Sequence, residues 1–185
     1  MNSLGKQSNT VRLTGTAILA AMVIVFDYAL KYSGLKLPFP WYPNLKFDFT
    51  GIPIALSLFL YGFPSSVTTS LVAGIGIVLR SGNFISASMK VAAELSTVFG
   101  IHLGRQVDGS KNKYISWGAG LLSRILVMTV VNLYVLPNVY HVPMEATIGL
   151  LPLIGFFNAV QGAITIGFGH FLFEDVRSRL PQWSP

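Results

Sequence analysis

The sequence predicts an all-α integral membrane protein, six transmembrane helices in one compact bundle that forms a single domain over residues 1–185. Two observations carry this. Hydrophobic residues make up 52% of the chain and charged residues only 11%, less than half of the ~25% usual in a soluble domain. The apolar residues also fall in long continuous runs rather than alternating. Backbone groups must be paired inside a bilayer, so continuous runs read as helices and not as barrel strands. A net charge of +6 from thirteen Lys and Arg could suit a nucleic-acid binder. Here the cations are scattered between uncharged runs, as in a membrane protein with basic cytoplasmic loops. There is no cysteine, which excludes disulfides and thiolate metal sites.

The first span, 13–31, holds one charge, Asp27, between Leu13 and Leu30 and ends on Lys31. From Phe49 to Leu79 there are 31 residues without a charge, about 46 Å of helix and too long for one crossing of a ~30 Å hydrocarbon core. Gly62-Phe63-Pro64 interrupts this run. Pro breaks a helix and Gly permits a turn, so two short helices are predicted, 49–63 and 65–80. A fourth span, 85–104, carries Lys90, Glu94 and His102. A fifth, 115–136, carries Arg124 and Asn132. The sixth, 148–174, carries Asn158, Gln161 and His170. No repeat, linker or low-complexity tract is evident.

Six spans place both termini on one side. That side gathers Lys6, Arg12, Arg105, Lys111, Lys113, Arg177 and Arg179, against Lys31, Lys36, Lys46 and Arg80 on the other. Seven basic residues against four predict cytoplasmic termini in a multi-pass cell-membrane protein. The segment before Leu13 reads as a free polar tail. The first apolar run lacks a small-residue cleavage site and five more spans follow, so it is not expected to be a cleaved signal.

The external loop between the first two spans, 31–48, is rich in proline and aromatic rings. Pro38, Pro40 and Pro43 restrict it to extended or turn geometry. It carries Tyr32, Phe39, Trp41, Tyr42 and Phe47. One reading is an aromatic belt at the membrane surface. The other is a lid over an external pocket, favoured by its length and stiffness.

Ionisable groups at bilayer depth are costly and need a partner or a wet cavity. On the fourth span Ser86, Lys90, Glu94 and Thr97 recur at helical spacing and share a face. Lys90 and Glu94 can neutralise each other, and Arg124 on the fifth span is a candidate partner for Glu94. Asn132 lies in the outer half of that fifth span. Asn158, Gln161 and Thr165 share a face of the sixth. Such groups can be interhelical glue worth about 0.6 kcal/mol per bond. A pocket between the last three helices, under the loop, would account for all of them at once. Asp27, near an outer helix end, is expected to face water. His102 and His170, near inner ends, are expected to snorkel or cap, and His141 to be solvated. In the first helix Gly15, Ala17 and Ala21 form a small-residue ridge, suited to internal packing or to docking another helix.

No phosphate-binding Gly-rich loop, nucleophile elbow or His-Glu-x-x-His pair occurs. The three histidines lack ligand spacing, so neither a metal centre nor an enzyme is expected, and no catalytic residue is assigned.

Across nearly its whole length the chain resembles an S component, the substrate-binding subunit of an energy-coupling factor (ECF) vitamin transporter. Three stretches carry the likeness. Ala17-Ile18-Leu19-Ala20-Ala21 is similar to the alanine motif by which S components dock on their coupling protein. Leu45-Lys46-Phe47-Asp48-Phe49-Thr50-Gly51-Ile52-Pro53 resembles the start of helix 2 in riboflavin-specific members, and Tyr61-Gly62-Phe63-Pro64 resembles the turn that follows. Phe157-Asn158-Ala159-Val160-Gln161-Gly162 is similar to their Asn-x-x-Lys-Gly stretch. Gln161 stands where those members carry Lys, which removes a charge and keeps a hydrogen-bonding group.

The resemblance implies high-affinity binding of a vitamin, riboflavin or a related one, from outside. The vitamin is a transported ligand and not a cofactor. It further implies a membrane coupling protein and two cytoplasmic ATPases as partners. On this reading Trp41, Tyr42 and Phe47 stack on or cover a flat ligand. Lys46 and Asp48 bond it or fix the lid, and Asn158 and Gln161 bond its polar edge. Lys90, Glu94 and Asn132 complete the site, and Gly15, Ala17 and Ala21 form the docking ridge. An alternative reading is a stand-alone secondary transporter or small channel, which predicts uptake by this protein alone. A membrane-anchored assembly protein predicts no ligand.

Overall fold

The computed structural model describes residues 8–107 and 113–179. Within them the apolar runs form six helices: α1 (Asn9–Tyr32), α2 (Gly51–Tyr61), α3 (Phe63–Ser81), α4 (Phe84–Val107), α5 (Lys113–Asn138) and α6 (Met144–Arg179). Five are long and apolar enough to cross a bilayer, and α2, with 11 residues, is shorter. The chain is thus a multi-pass membrane protein. Large apolar side chains such as Leu79, Leu126, Val130 and Phe171 lie exposed around the bundle, where hydrocarbon can cover them. Two residues counted in the predicted charge asymmetry, Lys6 and Lys111, lie outside the described residues.

Most helices outrun the apolar windows that predicted them. The α1 helix starts at Asn9 because Ser8 caps it, its side chain accepting from the Val11 N–H. The α6 helix reaches Arg179, and its polar last turns are tied by an Arg179–Asp175 ion pair. Helical hydrogen bonding continues past the point where apolarity stops. Between α2 and α3 the predicted break is a single residue, Gly62, at φ 88°, a conformation that glycine adopts without strain. Pro64 follows in the first turn of α3, where its missing N–H costs nothing.

Neighbouring helices close a ring in the order α1, α3, α4, α5, α6 and α2. Every residue of α2 from Gly51 to Leu60 is buried, so α2 is the shared core element. Ile54 and Leu58 pack there with Val98 and Ile101 of α4 and Ile166 of α6. The α4 and α5 helices approach closely because Gly100 and Gly104 present no side chain to Ala119 and Ser116.

The loop after α1 is a β-hairpin, β1 (Leu37–Phe39) and β2 (Tyr42–Phe47), turning at Pro40 and Trp41. Leu37 pairs with Phe47, Pro38 with Lys46 and Phe39 with Tyr42, with an irregularity after Pro38. The prolines fit here because both strands are edges, where a missing donor is tolerated. Extended geometry was legible from those prolines; the strand pairing was not.

Three expectations are corrected. Asp27 does not face water: it is 3% exposed and accepts from Lys36 Nζ at 2.5 Å and Arg80 Nε at 2.6 Å. The end of α3 brings Arg80 beside α1, a juxtaposition invisible along the chain. Gly15 is not part of an outer ridge. It is buried under the Tyr61 ring, which occupies the space a side chain would need, while Ala17 and Ala21 are exposed. The histidines of the spans pack an aromatic face inward and turn a nitrogen toward a polar group one turn on, and neither caps. His102 stacks on Phe63 at 4.8 Å and meets Gln106 at 3.0 Å; His170 meets Trp117 edge-on at 4.9 Å and lies 3.4 Å from Glu174. His141 is exposed, as expected.

Candidate substrate-binding site

A cavity of about 570 Å³ opens between α4, α5 and α6, with the hairpin at its rim. Its size lies within the ~300–1,000 Å³ of small-molecule pockets. The hairpin is seated by an aromatic knot. Phe39, 1% exposed, lies 5.1 Å from Trp41, 5.9 Å from Phe47 and 5.6 Å from Phe157. Phe47 in turn lies 4.9 Å from Phe157. Two consecutive phenylalanines of α6, Phe156 and Phe157, thus anchor the lid.

The outgoing end of the hairpin is held by polar contacts. Gln161 is 2% exposed and grips the Asp48 main chain from both ends of its amide. Its Nε2 donates to the Asp48 carbonyl at 2.7 Å, and its Oε1 accepts from the Asp48 N–H at 3.3 Å. The Asp48 carboxylate accepts from Lys90 Nζ at 2.8 Å and from the Thr50 hydroxyl at 2.8 Å. Burial pushes the Asp48 carboxyl up, but the Lys90 charge and hydrogen bond, aided by Lys36 and Thr50, win and hold it at about 2.

Lys90 continues the network inward, donating to Glu94 Oε1 at 2.8 Å. Arg124 lies 3.3 Å from the same oxygen. It also donates to Thr97 Oγ1 at 3.1 Å and to Asn158 Oδ1 at 3.3 Å. Two carboxylates and two cations therefore alternate as Asp48, Lys90, Glu94 and Arg124. Such pairing is what allows charge this deep in an apolar bundle. Asn132 donates to the Met128 carbonyl at 2.7 Å, and its Oδ1 has no partner among the described residues, so it offers an acceptor to the cavity.

Of the residues singled out in the sequence, Tyr42, Lys46, Asp48, Lys90, Asn132, Asn158 and Gln161 line this one cavity. Trp41, Phe47 and Glu94 do not. Trp41 is 64% exposed and packs on Phe39 and Phe156. Phe47 is spent on the aromatic knot. Glu94 sits behind Lys90, and its pairing with Arg124 is the one expected from their depths. Sequence reading missed Arg124 as wall, and it missed the apolar lining by Met89, Met128, Tyr140 and Phe157. Phe157, beside Asn158, could have been found from helical position. Met89 and Met128 carry no such signal, because apolar residues facing lipid and facing a cavity look alike.

No family model matches the chain, and no curated protein matches it. Among solved structures, the S component of a bacterial ECF transporter superposes with a TM-score of 0.77 at 22% identity, over 93% of this chain and 98% of that one. The chain has the fold of that S component.

Proposed function

We propose that this protein is the substrate-binding subunit of an ECF-type importer, taking up a small vitamin, with riboflavin the first candidate. The observation that carries the reading is the cavity under the hairpin, whose wall is mainly apolar in area and is set with a group of hydrogen-bonding side chains. A flat ring system with one polar edge matches such a wall. Tyr42 and Phe157 supply faces on which a ring stacks. Asn132 and Asn158 bond its polar edge, and Lys46 and Ser86 at the rim meet a hydroxylated side chain. Lys90 and Arg124 are already neutralised, so the pocket suits an uncharged ligand.

The ligand enters on the hairpin side, outside the cell, and both termini lie in the cytoplasm. Energy comes from separate subunits, a membrane coupling protein and two ATPases. The outward-facing Ala17 and Ala21 of α1 give the coupling protein a close helix–helix approach. The test is quenching of tryptophan fluorescence in purified protein on adding riboflavin. Quenching at micromolar ligand or below is expected. A response to another vitamin alone would discard riboflavin and keep the subunit reading. Uptake by vesicles holding this protein alone would replace it with a secondary transporter.

A further inference from the structure

Glu94 spends only one of its oxygens on the cations. Oε2 has no hydrogen-bond partner among the described residues, and neither has the Thr165 hydroxyl. Both residues are 1% exposed, so two buried polar atoms are left over beside the cavity. They converge on one place. A β-carbon built on Gly51 would lie 2.5 Å from Thr165 Oγ1, 2.9 Å from Glu94 Oε2 and 3.0 Å from Glu94 Oε1. Both oxygens therefore stand in the space that a side chain at residue 51 would take. Gly51 is also the first residue of α2, where the helix carries its positive end; the N–H groups of Thr50 and Ile52 there are taken by Asp48 Oδ1 and the Phe49 carbonyl. A carboxylate pressed against that end is stabilised only if nothing stands between.

We infer that Gly51 is a positioning residue of the cavity. By lacking a side chain it lets the Glu94 carboxylate close on the first turn of α2, and this sets where Lys90 and Arg124 stand in the cavity wall. A side chain at residue 51 displaces both groups. Thr165 can turn to its other helical rotamer and bond a carbonyl of its own helix, whereas Glu94 moves only by leaving Lys90 and Arg124. Once it moves, Lys90 and Arg124 lose their common partner, although residue 51 touches neither ligand nor cation. This rests on the proposed ligand site for its affinity readout alone.

The experiment is a double-substitution cycle on the full chain in nanodiscs, with Gly51→Ala, Glu94→Ala and both, reading riboflavin affinity and the thermal midpoint. Gly51→Ala alone is expected to weaken riboflavin binding about tenfold and to lower the midpoint. In the Glu94→Ala background the same change is expected to shift affinity less than about twofold and the midpoint by about 1 °C or less. Equal decrements in both backgrounds, or a Gly51→Ala protein that behaves as wild type, would overturn the inference. If Gly51→Ala fails to fold, the double variant is compared with Glu94→Ala alone: matching behaviour supports the inference, and a double variant less stable than Glu94→Ala overturns it. If the parent protein binds no riboflavin, the flavin reading falls, and the thermal cycle still decides the role of Gly51.

Discussion

The hairpin is clamped by an ion-pair cluster at each end, and the two clusters differ in what else they touch. At the incoming end Asp27 joins Lys36 and Arg80 at 2.5 and 2.6 Å, away from the cavity. At the outgoing end Asp48 joins Lys90, and both residues line it. A ligand in the cavity, as proposed above, would meet only the second. On that proposal the first cluster serves as the hinge of the hairpin and the second as its catch. The clamps themselves are buried alike, Lys36 and Arg80 keeping 14% and 10% of their side chains exposed and Lys90 and Asp48 13% and 14%. The second differs in what lies behind it, Glu94 and Arg124, which keep 1% and 3%.

The largest expected effect comes from breaking the deep cluster. Glu94→Ala leaves Arg124 buried without its carboxylate and should cost about 3–5 kcal/mol of stability. Asp27→Ala frees two cations that can swing to the interface, and should cost about 1–2 kcal/mol. Thermal unfolding in detergent compares them, and an equal loss would erase the distinction between the clusters.

Ligand binding should separate the clusters in the other sense. Asp48→Asn weakens the catch and is expected to lower riboflavin affinity about 10–100-fold. Lys36→Ala should alter affinity less than about threefold while speeding exchange of the hairpin amides, because only the hinge loosens. Hydrogen exchange over residues 37–47 reads this directly. A smaller effect is expected at Asn132, whose free oxygen faces the cavity. Asn132→Ala should lower affinity about tenfold with no change in unfolding midpoint beyond that of an ordinary surface substitution.

The pH dependence should be the weakest of these effects. Asp48 is held at about 2, below the ~3.9 of a free aspartate. Its contribution is therefore complete above about pH 4 and drains as pH falls toward 2. Among the described residues the cavity wall holds no histidine. Affinity should stay flat between about pH 5 and 8, and a step in that range would point to a titrating group elsewhere.

The helices were legible because charge scarcity and run length decide membrane spans almost alone. The polar faces of α4 and α6 were legible because helical spacing puts Lys90 with Glu94, and Asn158 with Gln161, on one side. Contacts between distant segments were not. Nothing near Asp27 announces Arg80, and nothing in Gln161 foretells that its amide grips the Asp48 backbone. Trp41 and Phe47 were assigned to the ligand because aromatic residues on a lid suggest stacking. The fold uses them to build the lid and hold it to α6. Gly51 was legible only as part of a motif, since its value lies in the side chain it lacks.

The central claim is that the space beneath the hairpin holds a small molecule. The direct measurement is mass spectrometry of what co-purifies with the protein, compared with a Ser86→Trp variant that fills the cavity from its rim. A near-stoichiometric, uncharged, ring-bearing compound is expected on the wild type, with none on the folded variant. The same compound on both proteins at equal occupancy would contradict the claim.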